Sequence, residues 1–237
     1  MSKRIDPDKA IRPFLKWPGG KSTELSRISE LAPKEFDRYI DPFVGGGSVL
    51  LAVNNSTPAL CNDICPELIH LMQLPRDADL YNLLVTFTDQ WSELNVSEKE
   101  LSQIYENFKN EVHSEPSLTL NLQHIDDYDF KSKFIDYMEV RLNKDMKSKL
   151  TRTRRIQLER NLTISEADFK ATIEGVVRGA FYMTIRHFYN ELRLSGISNN
   201  LRTTYFFFLR ELSYASMFRF NSKGEFNVPY GLSLIHI

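Results

Sequence analysis

Glycine is missing from the 237-residue chain between Gly47 and Gly175, and proline between Pro116 and Pro229. Stretches this long without either breaker favour helix over a turn-rich β architecture. Cysteine is scarce: only Cys61 and Cys65 are present. Two thiols at that spacing make neither a disulfide framework nor a good zinc site, and a reducing cytoplasm is the expected setting. Neither sign of charge is in excess, with 30 basic against 31 acidic residues. Net charge therefore does not announce nucleic-acid binding, and any such attraction must come from a local patch. No apolar run is long enough to span a bilayer, and the N-terminus lacks a signal-peptide pattern. The length suits one large domain, or one domain with a small lobe.

What is present begins with Asp41-Pro42-Phe43-Val44-Gly45-Gly46-Gly47-Ser48. The apolar run Arg38-Tyr39-Ile40 before it reads as a strand, and Val49–Val53 after it as the first turns of a helix. Strand, glycine turn and helix form the geometry in which backbone N–H groups face a ligand. Three glycines let the backbone approach that ligand with no Cβ in the way. A second strand, Ala59–Asp63, ends in an acid 22 residues after Asp41. Nucleotide-binding α/β units place there the carboxylate that accepts ribose hydroxyls, so the ligand is expected to contain an adenosine. Asp63 could also cap a helix that starts near Pro66, and the two roles can coexist. Upstream, Gly19-Gly20-Lys21-Ser22 looks at first like a phosphate loop, but that motif needs glycine at position 15, which is Leu15.

Three segments, in order, resemble the DNA adenine methylase family of adenine-N6-specific DNA methyltransferases. Lys16-Trp17-Pro18-Gly19-Gly20-Lys21 is similar to its N-terminal cofactor motif. Asp41–Ser48 is similar to its S-adenosylmethionine loop. Arg219-Phe220-Asn221, followed by Gly224-Glu225-Phe226-Asn227-Val228-Pro229-Tyr230-Gly231, is similar to the end of its target-recognition region. The resemblance implies an α/β fold: a partial Rossmann-like S-adenosylmethionine-dependent methyltransferase sheet with a mainly helical target-recognition lobe. Residues 1–75 would form the cofactor-binding part and 76–231 the recognition region.

The family's Asp-Pro-Pro-Tyr catalytic string is absent from these residues, so no catalytic residue is assigned. In a complete enzyme of this family that string would hold the amino group of a flipped-out adenine while its lone pair attacks the sulfonium methyl. Six residues, 232–237, follow Gly231 and do not look like the family's basic, aromatic continuation. A truncated reading frame with an unrelated tail is the expectation, and a natural short paralogue the alternative. Only two parallel strands of the expected sheet are present. The strand bearing the glycine loop should lose a neighbour and leave an apolar, aggregation-prone edge wet.

Helices are expected at 67–73, 78–112, 131–150 and 165–193, with Gly196 as the turn after the last. Thr203–Phe218 is apolar enough for a buried helix. Arg186–Asn190 faintly resembles a further family segment.

By resemblance, Phe43 and Gly45 lie against the methionyl and adenosyl parts of the cofactor, though Phe43 could instead be core. Trp17 and Lys21 match cofactor contacts of the family; Lys21 could neutralise the methionyl carboxylate, and Trp17 offers a flat wall. Arg219 could read guanine through a bidentate fork, or pair with Glu225. Asn221 is expected to brace its loop. Tyr214-Ala215-Ser216 departs from GATC-specific members, which carry Asn and Gly at the last two positions. Eight basic residues lie between Arg141 and Arg160, Arg154 and Arg155 among them. They could contact phosphates or form a solvated helix face. The expected partner is double-stranded DNA, with neither metal nor membrane, and a cognate restriction endonuclease is possible. Two functions follow: an inactive fragment of an adenine-specific DNA methyltransferase, or a non-catalytic DNA- or cofactor-binding protein.

Overall fold

In the computed structural model, the structure describes residues 5–15, 17–111, 128–196 and 199–231. The expected tail, 232–237, lies outside them. In chain order the regular elements are α1 (Leu25–Leu31), β1 (Tyr39–Asp41), β2 (Ala59–Cys61), α2 (Pro66–Leu71), α3 (Ala78–Glu93), α4 (Glu98–Lys109), α5 (Tyr128–Arg160), α6 (Glu166–Leu194) and α7 (Asn200–Leu212).

β1 and β2 pair in parallel, with Tyr39 opposite Ala59 and Ile40 opposite Leu60. The register continues past the strands, where Asn62 N–H donates to the Asp41 carbonyl and Val44 N–H to that of Asn62. Ile40 and Leu60 are 59% and 64% exposed. The sheet therefore has the wet apolar surface that two strands without further neighbours were expected to leave.

Side-chain caps start α3, α4, α6 and α7. Asp77 accepts from Leu80 N–H, Ser97 from Glu100, Ser165 from Asp168 and Asn199 from Arg202. One of these caps corrects the single helix expected over 78–112. Ser97 and Glu100 have capping-box spacing, so the chain breaks after Glu93 and restarts at Glu98. Two further expectations need correction. Val49–Val53 holds only a 3-10 turn, Leu50–Ala52, because Val53 leaves it to bridge Ile5. The helix expected to reach Phe218 stops at Leu212, because Ser213 turns extended and pairs with Tyr230.

Two hydrophobic clusters form. A small one joins Ile5, Leu25, Ala52 and Val53. The large one runs from Leu15 and α2 through α7 to Phe226 and Val228, so a single core crosses the boundary expected at residues 75 and 76. α6 is its axis and packs on α4, α5 and α7. The outcome is a largely helical body carrying a small parallel sheet, with the segment 213–231 bonded to α6.

Candidate functional site

The N-terminal motif and the glycine loop meet. Gly45 has φ +51°, and a Cβ there would lie 3.0 Å from Cδ1 of Trp17; one on Gly46 would lie 3.0 Å from the Trp17 Cβ. The absence of a Cβ at Gly45 and Gly46 thus lets Trp17 pack against the loop, its indole at Gly45 and its Cβ at Gly46. Beside this contact is a cleft of about 500 Å³ lined by Arg12, Pro13, Leu15, Trp17, Gly20, Ser22, Gly46 and Ser48. The hydroxyls of Ser22 and Ser48, 26 residues apart, are 3.1 Å from each other and tie the two motifs together.

Asp63 sits at the end of β2 and serves both neighbours. Gly45 N–H donates to Oδ2 at 3.0 Å, and Cys65 N–H to Oδ1 at 3.1 Å. The carboxylate thus ties the glycine loop to the turn before α2, but the helix cap expected of it is not made: Cys65 is the N-cap of α2, and no side chain caps that helix. Asp41 is likewise engaged, accepting from Tyr39 Oη at 2.6 Å and Phe43 N–H at 3.1 Å. Phe43 is not core: it is 84% exposed, and Ile64 beyond Asp63 is 96% exposed. Lys21 is exposed on the approach to the 3-10 turn Ser22–Glu24 and is not among the residues that line the cleft.

The recognition segment is clamped by one stripe of α6, of which the sequence singled out only Arg186–Asn190, without a role. Tyr182 and Arg186 both donate to the Val228 carbonyl at 3.0 Å. Asn190 exchanges two hydrogen bonds with the backbone of Phe226, at 3.1 and 2.7 Å. Arg193 donates to the Gly224 carbonyl and covers the Phe220 ring at 4.2 Å. Residues 182, 186, 190 and 193 recur at helical spacing, which was the legible signal. Within the segment, Asn221 does brace the loop: Oδ1 accepts from Lys223 and Glu225 N–H, and Nδ2 donates to the Glu225 carboxylate at 2.7 Å. Arg219 therefore does not pair with Glu225. Its Nε donates to Asn227 Oδ1 at 3.2 Å at an exposed edge. Gly231 closes the segment, since a Cβ would meet the Tyr214 Cα at 2.9 Å and the Ser213 carbonyl oxygen at 3.0 Å.

The basic run on α5 divides. Arg154 is spent internally, with Nη2 donating to the Phe108 carbonyl at 2.5 Å and the guanidinium 5.0 Å from the Phe108 ring centre. Arg155 is exposed, 3.7 Å from Glu159. With Lys144, Lys147, Ser148, Thr151 and Arg152 it lines a shallow surface groove of about 490 Å³. All six side chains are exposed and share one face of the helix.

Ionisation states argue against thiol chemistry. Burial and the neighbouring Glu67 push the Cys65 thiol up to about 12, and burial and Asp41 raise Cys61 as well. Neither is a thiolate at neutral pH. Burial and then Asp41 keep the Tyr39 phenol neutral far above its ordinary range. Among the described residues no three His, Cys, Asp or Glu side chains converge as a metal site, and no helix is long and apolar enough to cross a membrane.

Residues 17–183 match the sequence profile described as D12 class N6 adenine-specific DNA methyltransferase. The chain is 26% identical over 226 residues to the type II methyltransferase M.MjaIII of Methanocaldococcus jannaschii, covering 93% of this chain and 52% of that one. It is 36% identical over 107 residues to the DNA adenine methylase of Escherichia coli strain K12, covering 44% and 34%. Against the DNA adenine methylase of Haemophilus influenzae it is 40% identical over 70 residues, 30% and 24% of the two chains. The chain spans about half the length, or less, of these relatives.

Proposed function

The chain belongs to the D12 class N6 adenine-specific DNA methyltransferases, and on that basis we propose that it binds S-adenosylmethionine in the cleft beside Trp17 and double-stranded DNA across its recognition segment. The observation that carries the reading is the meeting of two distant motifs around one cleft: Trp17, Gly20 and Ser22 on one side, Gly46 and Ser48 on the other. The donor set fits such a ligand. Each oxygen of Asp63 spends one lone pair on a backbone amide and keeps another, so the carboxylate can still accept ribose hydroxyls. Phe43 offers an open ring face for a flat base beside the loop. Arg12 lines the cleft, and Lys21 lies in the chain between the lining residues Gly20 and Ser22, so both are candidate cations for a carboxylate.

When bound, S-adenosylmethionine supplies an electrophilic sulfonium methyl group. The chain's own part is to seat that group and position DNA: Arg219 presents a guanidinium to base edges, Asn221 keeps the turn rigid, and the α5 face with Arg155 meets phosphates. Arg154 contributes indirectly by fixing α5 on α4. The fold class assigned is a Rossmann-like methyltransferase sheet. An Asp-Pro-Pro-Tyr string is not among its residues, and we assign the isolated chain binding without methyl transfer. A DNA-modification system in the cytoplasm, with a cognate endonuclease as partner, is the proposed setting.

Calorimetry with S-adenosylmethionine tests the reading. Weak binding is expected, and Asp63→Ala abolishes it. Asp63→Asn, which retains one acceptor for the loop, controls for collapse of the turn. No heat from the parent chain, or equal binding by Asp63→Ala, overturns the assignment.

A further inference from the structure

Arg210 is a fully buried arginine, 0% exposed, on α7. Its guanidinium carbon lies 5.2 Å from the ring centre of Trp17 and 5.2 Å from that of Phe218, and the two rings are 5.8 Å apart. Nη1 donates to the Ser216 carbonyl at 2.9 Å. That carbonyl sits on a strained corner, since Ala215 and Ser216 both have φ +50°, a region costly for residues with a Cβ. On its other side Trp17 abuts Gly45 and Gly46. One side chain thus touches both the indole that seats the glycine loop and the corner that opens the recognition segment.

Core filling does not explain an arginine here. A buried cation carries a desolvation cost, and an apolar residue of similar volume is often neutral or stabilising in its place. What arginine adds over methionine is a planar plate with fixed donor directions. It lies over two rings and directs Nη1 at the Ser216 carbonyl.

We propose that Arg210 is a positioning residue that couples the glycine loop to the recognition segment through Trp17 and Phe218. A ligand seated on the loop then orders the segment, and a segment held by DNA tightens the loop, each by the same factor. The identity of the two ligands rests on the proposed function; the mechanical linkage does not.

Amide hydrogen exchange in the full chain tests it. The reporters are the Asn221, Phe226 and Asn227 amides, which donate to the Glu225 carbonyl, Asn190 Oδ1 and the Arg219 carbonyl. Gly45→Ala displaces Trp17 and should speed their exchange on the order of tenfold. In an Arg210→Met background the same substitution should change it less than about twofold, with the melting temperature of Arg210→Met itself unchanged or raised. Arg210→Lys should fall between, because it keeps charge without the plate. Trp17→Phe, which shrinks the ring that Arg210 covers, is the second perturbation if Gly45→Ala fails to fold. Saturating S-adenosylhomocysteine should slow the same amides in the parent chain but not in Arg210→Met. Reporters indifferent to both loop substitutions, or responding fully without Arg210, overturn the coupling. Reporters that respond to the substitutions while S-adenosylhomocysteine does not bind leave the coupling standing and overturn the cofactor assignment.

Discussion

Glu67 on α2 and Arg202 on α7 form a buried ion pair, with Arg202 Nη2 2.6 Å from Glu67 Oε1 and side chains 3% and 8% exposed. Tyr189 of α6 donates to the same oxygen at 3.0 Å. Three helices therefore converge on one carboxylate, next to the turn where Asp63 holds the glycine loop. Burial pushes the Glu67 carboxyl upward, but its own backbone amide, Arg202 and Tyr189 outweigh this and leave it below its ordinary 4.5.

Acid stability should report on that pair. A carboxyl depressed in the folded state contributes its full stability above its unfolded value and loses it as pH falls through the folded one. Melting temperature should hold from neutrality to about pH 4.5 and then drop, the Glu67 contribution fading toward the depressed value. Glu67→Gln should cost about 3–5 kcal/mol at pH 7, because it removes the negative charge paired with a buried guanidinium. It should also flatten the acid limb of a thermal-shift titration. A parallel limb in the variant would place the acid-labile group elsewhere.

Arg154 and Arg155 should behave as opposites. Arg154→Ala leaves the Phe108 carbonyl and ring uncovered and should lower stability by about 1–3 kcal/mol. Arg155→Ala should be silent in melting. Charge removal at Lys144, Lys147, Arg152 and Arg155 together should flatten the plot of log affinity for duplex DNA against log salt by roughly 0.9 per lost phosphate contact. An unchanged slope would make the α5 face a solvated surface.

The corner at Ala215 and Ser216 should be improvable. Both residues occupy left-handed backbone, where Asn and Gly are tolerated better. Ala215→Asn with Ser216→Gly should raise stability by about 1 kcal/mol or more by chemical denaturation. A loss instead would show that the Cβ atoms make contacts worth more than the strain.

Gly231→Ala should do the reverse. The added methyl meets backbone atoms of Ser213 and Tyr214, which cannot rotate aside. A cost of about 1–3 kcal/mol is expected, with faster proteolysis between residues 213 and 231. Wild-type protection in the variant would mean that the closing turn is not rigid.

The apolar sheet face should drive self-association. Ile40 and Leu60 are opposite one another and both exposed. Ile40→Thr with Leu60→Thr should reduce the concentration dependence of light scattering and leave the melting temperature within about 1–2 °C.

Much of this was legible in the chain because it is local. Apolar periodicity places α6 at Glu166–Leu194, close to the expected 165–193, since hydrogen bonds between neighbours decide a helix. The order of strand, glycine loop and strand foretells the parallel pair, and the composition of Lys16–Lys21, Asp41–Ser48 and Arg219–Gly231 foretells the family. What only the tertiary structure decided depends on residues far apart in sequence. Arg154 loses its place on the basic face to Phe108, 46 positions away. Gly45 and Gly46 of the loop are claimed by Trp17, and Arg193, 31 positions from Gly224, anchors the segment it could not be seen to touch. Helix periodicity shows which residues share a face; it does not show which remote group will occupy that face, because that is settled by how the helices pack around one core.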